Sequence, residues 1–444
     1  MKKAAKMLLS LSLILTMAGC ANQSRSTDEQ AASPVPAQTI SDQPVDSSTL
    51  EGWAEGVKRK HDGETLNLLF AAHETSEALK TFAPEFEKMT GIKVNWKIID
   101  TVQLKNDQLM DFSGKSGGYD VYMVDRFWLD EYAAKDVLVP VDQYLNNPEA
   151  TPEWYDFEDI LPAYRDGLAK IGDSYYGIPA VGETRLVGYR TDLFDKYGKE
   201  PPKTMDEMLE LARFFNEKED GLYGIAMRAQ KGILCASGWM SIVYNFSDGF
   251  VDQQTGKSLM DDPKNEEALE YFVELLKNSP PDISTYTHEE ALGAFITGKT
   301  AMWLDANALI PSIMNPDKSV VYDKVAFVPT PAGPYGRGAA LSGWSMGIPT
   351  TSKHQDAAWD FIMYMSSKAL SKPLYEAGAA PTRTSIFSDP QVIEKDSTMP
   401  AQILALEEAN ELVKRNLAWI PPNEKTTQIF DIVAIMPTRL LQGK

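Results

Sequence analysis

The sequence predicts an α/β fold with mainly parallel strands and a helical C-terminal stretch, and three patterns carry that expectation. Short apolar runs read as buried strands, segments with apolar residues every three or four positions read as helices, and the two alternate from Glu64 onward. Leu66 to Phe70 is the first strand. Leu79, Phe82, Phe86 and Met89 mark a helix that ends at Gly91 and carries Pro84, where a kink is expected. Ile92, Val94, Trp96 and Ile98 alternate with polar residues, as in a strand with one covered face, and Tyr119 to Val124 is a further short strand. The intervening helices are long enough to cross over between parallel strands. Farther along, Thr204 with Glu207 and Thr287 with Glu290 form capping boxes, Asp262-Pro263 opens a helix, and Gln355 to Met365 and Ala401 to Lys414 are helical.

Composition narrows the function. A chain of 444 residues is too long for one ordinary domain, and its formal charge of −20, from 63 acidic against 43 basic groups, would repel phosphate backbones. Nucleic acid is therefore excluded as a partner. Two cysteines, Cys20 and Cys235, make no disulfide framework, and four scattered histidines without an HExxH or CxxC pattern predict no metal site and no cofactor.

The first twenty residues read as a leader. Lys2, Lys3 and Lys6 precede an apolar run from Met7 to Met17, and Met17-Ala18-Gly19-Cys20 places small residues before a cysteine. About 12 helical residues reach only about 18 Å, short of a hydrocarbon core of about 30 Å, so this is a signal peptide and not a span. The pattern resembles the bacterial lipobox, which implies cleavage after residue 19 and acylation of Cys20. Residues 20–62 are then the lipidated cysteine and a polar tether, rich in Ser, Gln, Asp and Pro at its start, and Cys235 is left as a buried free thiol.

Two motif matches fail on context. Gly293 to Thr300 fits the phosphate-binding loop, but a helix leads into it and a strand follows, the reverse of the required order; Gly298 reads as the helix C-terminal cap. Gly343-Trp-Ser-Met-Gly347 fits the nucleophile elbow of serine hydrolases, yet no Asp or Glu separates Ser345 from His354, the only later histidine. Carboxylate pairs for glycoside hydrolysis cannot be placed from sequence, and the acidic side chains read as a solvated surface.

Four segments together resemble the family 1 extracellular solute-binding proteins, the receptor components of bacterial ABC importers of carbohydrates. They are Phe82 to Val94; Tyr119-Asp-Val with Trp128, Glu131-Tyr-Ala and Leu138 to Asp142; Tyr176-Gly-Ile-Pro with Gly188 to Phe194; and Phe295 to Met302. The resemblance implies a two-lobe periplasmic-binding-protein-like α/β fold with hinge strands and a ligand cleft between the lobes. Lobe one would comprise residues 63–181 and 331–378, and lobe two 182–330 and 383–444. It further implies an extracytoplasmic protein anchored to the cell membrane as a lipoprotein, monomeric, without catalysis, which delivers a carbohydrate, an oligosaccharide by expectation, to membrane permease subunits. The rival readings are a secreted glycoside-active enzyme and a sugar-sensing subunit of a membrane signalling system.

A sugar has apolar C–H faces and a rim of hydroxyls, so its site needs aromatic planes and polar side chains. The candidates are His73 and Glu74 after the first strand; Asp125, Arg126 and Trp128 after the third; Glu183 and Arg185 at a lobe crossing; Arg228, Trp239, Trp303, Asp305, Asn307 and Trp344; and Arg383 near a later crossing. Strand ends are where open α/β sheets bind ligands. Trp96 and Trp359 have core spacing and read as packing. Convergence of Arg126, Arg185, Arg228 and Arg383 would favour an acidic sugar.

Overall fold

The computed structural model describes residues 46–252, 255–338, 340–414, 417 and 425–441. The signal peptide, Cys20 and the first part of the tether lie outside the described residues. The tether expectation fails at its end: Leu50–His61 is a helix, α1, whose Trp53, Ala54 and Val57 are buried. These three residues make a short apolar stripe, which a polar average over the segment conceals. Trp53 stacks on Tyr364 at 6.1 Å and meets Trp154 edge-on at 5.8 Å.

Strand β1 (Thr65–Ala71), helix α2 (Glu74–Thr90), strand β2 (Lys93–Ile99), helix α3 (Thr101–Gly114) and strand β3 (Val121–Asp125) follow, then helix α4 (Arg126–Ala134). α2 runs through Pro84 and stops at Gly91, whose φ of 75° is open to glycine and whose N–H closes on the Glu87 carbonyl. A small hairpin, β4 (Lys170–Ile171) with β5 (Ser174–Tyr175), precedes the long β6 (Ile178–Arg190); β7 (Tyr223–Ala226), β8 (Thr300–Ala306), β9 (Val325–Pro329) and β10 (Leu341–Gly347) complete the strands.

The main sheet has eight strands in the order β2-β1-β3-β10-β6-β8-β7, with β9 also paired to β6. β1 pairs in parallel with β2 and β3, and β7 with β8, as crossover helices require. The middle is antiparallel: β10 runs against β3 and β6, and β6 against β8 and β9. The expectation of mainly parallel strands is thus corrected to a mixed sheet. The reason is β6, which pairs with β10 from Ile178 to Thr184 and with β8 from Arg185 onward, so one strand serves both halves.

Both capping boxes form, at Thr204/Glu207 and Thr287/Glu290. Thr297 caps the helix His288–Ile296 and Gly298, one residue later, takes φ 79°; β8 then begins, the reverse of a phosphate loop. Ser345 lies inside β10 and donates to the Leu168 carbonyl at 3.4 Å, so it is no exposed nucleophile. Trp96 and Trp359 pack as expected: Trp96 meets Phe70 at 5.0 Å, and Trp359 stacks on Tyr144 at 5.1 Å while donating to the Ala150 carbonyl. Cys235 is free and buried, and burial pushes its thiol up to about 12. Among the described residues no helix is long and apolar enough to cross a membrane.

If α1 belongs to the folded core, Trp53→Ala should lower global stability by about 3 kcal/mol, the usual cost of a deleted core Trp. Urea unfolding followed by circular dichroism reads this, and an unchanged midpoint would make α1 a peripheral appendage.

Candidate functional site

The polar candidates at the strand ends come together around the point where β6 passes from one half-sheet to the other. His73 caps α2: its Nδ1 accepts from the Thr75 amide at 3.0 Å, which turns Nε2 toward Glu183 Oε1 at 3.4 Å. Asp125 closes β3 and caps α4, accepting from the Phe127 amide at 3.0 Å. Glu183 and Arg185 flank Thr184 on β6. Arg228 follows β7, and its Nε lies 2.8 Å from both oxygens of Asp305 on β8, with Nη2 2.5 Å from Oδ1. Arg185 Nη2 donates to Ser237 Oγ at 3.1 Å, while Nη1 stands 3.8 Å from both Glu183 Oε2 and Asp305 Oδ1.

Arg185 is 2% exposed, yet its Nε and Nη1 have no hydrogen-bond acceptor among the described residues. The buried Tyr164 hydroxyl, whose proton affinity the Glu183 charge raises after burial itself, is also without a partner. Buried donors are normally matched, so unmatched ones at a strand-end cluster point to a ligand that accepts hydrogen bonds.

The charges nearly cancel. Burial opposes ionisation of Glu183, but the His73 hydrogen bond and the charges of Arg185, His73 and Arg228 hold it well below the usual carboxylate range. Burial pushes Asp125 up to about 7; the Phe127 amide bond opposes this and the Glu183 charge adds to it. Two guanidinium groups therefore face two carboxylates, Glu183 and Asp305, with Asp125 poised between forms.

Of the remaining candidates, Trp344 shares this face. It stands opposite Asp125 in the β10–β3 register and opposite Val181 in β6, two positions from the Ser342–Glu183 pair. Trp128 meets it edge-on at 5.5 Å. Glu74 points elsewhere, accepting from Ser312 Oγ at 2.5 Å with Lys318 Nζ at 3.4 Å. Asn307 accepts from the Thr184 amide at 2.9 Å and so braces β6.

Four candidates have protein partners of their own and make no hydrogen bond or ion pair to the charged groups of the cluster among the described residues. Arg126 pairs with Asp130 at 2.6 Å and donates to the Gly167 carbonyl. Arg383 donates to the carbonyls of Ser366, Asp156 and Tyr155, and its neighbour Ser385 binds Asp159, so this segment is fastened to the half-sheet of β1 and not to the cluster. Trp239 and Trp303 are fully buried against Phe250 and Phe295, and the indole N–H of each, like the Arg185 donors, has no acceptor among the described residues. The four arginines do not converge.

Sequence reasoning missed Ser342, which donates to Glu183 Oε2 at 2.5 Å, Ser237, Tyr164 and His288. Burial and the Arg228 charge push His288 down to about 4, and the fields of Asp305, His73 and Glu183 reach it as well. The Thr287 capping box already set His288 at the first position of its helix; Ser342 needs the β6–β10 register, which no local signal supplies.

Two half-sheets joined through a shared strand, with a buried polar cluster at the crossing, define a two-lobe binding protein. The chain belongs to the bacterial extracellular solute-binding proteins, whose family model matches residues 71–371. It is 26% identical over 351 residues to an erythritol/L-threitol-binding protein of Mycolicibacterium smegmatis, covering 74% of this chain and 72% of that one. It is 27% identical over 342 residues to a mannitol-binding protein of Pseudomonas aeruginosa, covering 73% and 75%. Its fold matches an ABC transporter solute-binding protein of Agrobacterium radiobacter in complex with ribitol, with a TM-score of 0.79, 26% identity and coverage of 86% and 95%.

Asp125 supplies a pH test. Its folded value of about 7 exceeds the ordinary 3.8, so between roughly pH 4 and 7 the folded state holds a proton that the unfolded state has lost. This group's contribution to stability therefore falls as pH rises through that window, by at most about 1.4 kcal/mol per pH unit. Chemical denaturation of the wild type and Asp125→Asn across pH 4–8 should show the slope reduced in the variant; identical slopes would mean that Asp125 is ionised throughout.

Proposed function

We propose that this protein is an extracytoplasmic receptor that captures a small neutral polyol or sugar between its lobes, without converting it, and presents the closed form to the membrane permease of an ABC importer. The observation that carries the ligand class is the pair of unmatched Arg185 donors inside a cluster whose charges are already balanced. Hydroxyl oxygens accept from such donors and bring no charge that burial would penalise. The Trp344–Trp128 pair offers an apolar plane for C–H faces beside them. Relatives named for erythritol, threitol and mannitol, and a structural neighbour holding ribitol, support a ligand smaller than the oligosaccharide expected from the sequence. The reading includes monomeric action and attachment to the outer face of the cell membrane through diacylated Cys20, since two acyl chains hold durably where one is marginal.

A thermal-shift screen with erythritol, ribitol, D-mannitol and short oligosaccharides tests the ligand class. A polyol at about 100 times its Kd should add about 2.7 kcal/mol of stability, and Arg185→Met should abolish the shift. Stabilisation by oligosaccharides alone, or an affinity that falls steeply with added salt, would overturn the small neutral ligand. For the anchor, Cys20→Ser should release the protein from the membrane fraction; full retention would remove lipidation from the account.

A further inference from the structure

Asn307 does more than brace one amide. β6 changes partners between Thr184, opposite Leu341 of β10, and Arg185, opposite Ala306 of β8, so any rotation of one half-sheet against the other passes through this peptide. The Thr184 N–H donates to Asn307 Oδ1 at 2.9 Å; Asn307 Nδ2 donates to Gln402 Oε1 at 2.7 Å; and Gln402 Nε2 donates to Thr398 Oγ1 at 2.9 Å. The Thr398 hydroxyl donates to Asp396 Oδ1 at 2.7 Å, and the Tyr375 hydroxyl donates to the other oxygen of Asp396. Every bond between Thr184 and Asp396 points the same way and ends on a carboxylate, the arrangement in which successive hydrogen bonds polarise one another.

The chain of bonds spans the hinge. Asn307 directly follows β8, Gln402 and Thr398 belong to the helix Met399–Lys414 and its start, and Tyr375 lies on the helix Lys368–Glu376, which packs on α2 beside β1. Thr184, Asn307, Thr398 and Gln402 are each at most 4% exposed. A cavity of about 410 Å³ lies along the same residues, between Met314 on one side and Tyr375 on the other. The relay is therefore a buried strut with open space beside it, and the cavity leaves room for the two sides to shift when the strut is cut.

We propose that the Asn307–Gln402–Thr398–Asp396 relay sets the angle between the lobes, so that Asn307 is a positioning residue for ligand capture and not a ligand contact. The inference rests on the receptor reading for its affinity arm only. Glu183 and Arg185 sit on either side of Thr184, whose N–H is braced, so a change in the orientation of that residue moves both relative to each other. Loss of the brace redistributes open and closed forms and lowers apparent affinity in proportion to the fraction of the binding-competent form.

The test uses the full chain with Asn307→Ala, Gln402→Leu and Thr398→Ser, D-mannitol and ribitol as probes, and three readouts: melting temperature, ligand-free radius of gyration by small-angle scattering, and affinity. Asn307→Ala and Gln402→Leu should each change the ligand-free radius of gyration and weaken binding about tenfold while melting cooperatively near the wild-type temperature. Thr398→Ser keeps the hydroxyl that accepts from Gln402 Nε2 and donates to Asp396 Oδ1, so it should leave both readouts at their wild-type values. An unchanged radius of gyration in both disrupting variants overturns the proposal, and weak binding in Asn307→Ala alone with that radius unchanged makes Asn307 a ligand contact. Should Asn307→Ala fail to fold, Gln402→Leu against Thr398→Ser decides the question. If the wild type binds neither probe, the receptor reading in its small-polyol form fails, while the scattering arm still judges the relay.

Discussion

One peptide, between Thr184 and Arg185, constrains the rest of the structure. On its N-terminal side β6 belongs to the half-sheet of β1, β3 and β10, and on its C-terminal side to that of β7, β8 and β9. The side chains that neutralise Arg185 and Arg228 come from both halves: Glu183, with its supports His73 and Ser342, from one, and Asp305 from the other. Removing one partner of a buried charge pair leaves the other uncompensated, at a cost of about 3 to 5 kcal/mol, so the halves cannot separate fully without readmitting water to the cluster. Lobe geometry and site electrostatics are in this sense one variable. That coupling is what a receptor needs if its ligand state is to be read from its shape.

The parts of this arrangement that could be read without coordinates are those with local signals. Apolar alternation located β2, a glycine ended α2, and capping boxes opened two helices, because each depends on residues within one turn or one strand. His73, Asp125, Glu183, Arg185, Arg228 and Asp305 were reachable because strand ends are set by the same local patterns. Arg126 and Arg383 have protein partners that no local pattern announces. Whether a guanidinium serves a ligand or a neighbouring carbonyl depends on what lies across space, such as Asp130 one turn on or Tyr155 more than two hundred positions away. The antiparallel centre of the sheet was hidden likewise, since pairing of β6 with β10 joins residues distant in the chain.

The fate of the four arginines also bears on the chemistry of the ligand. Arg126 and Arg383 are held by protein groups remote from the cluster, and Arg228 is bound by both oxygens of Asp305. Arg185 alone keeps unmatched donors, and its charge is balanced by carboxylates 3.8 Å away. A ligand carboxylate placed there would be a third anion beside Glu183 and Asp305, with its own desolvation cost and no unpaired cation to offset it. A hydroxyl meets the same donors without that cost, and the rigid plane of the guanidinium selects where the oxygens must lie. Asp125, with its carboxyl pushed up to about 7, can offer a proton to a ligand oxygen as well as accept one, which suits groups that both donate and accept. Charge balance is the feature that favours a neutral ligand over an acidic one; the unmatched donors call for an acceptor of either kind, and the mixed character of Asp125 suits a hydroxyl, which both donates and accepts.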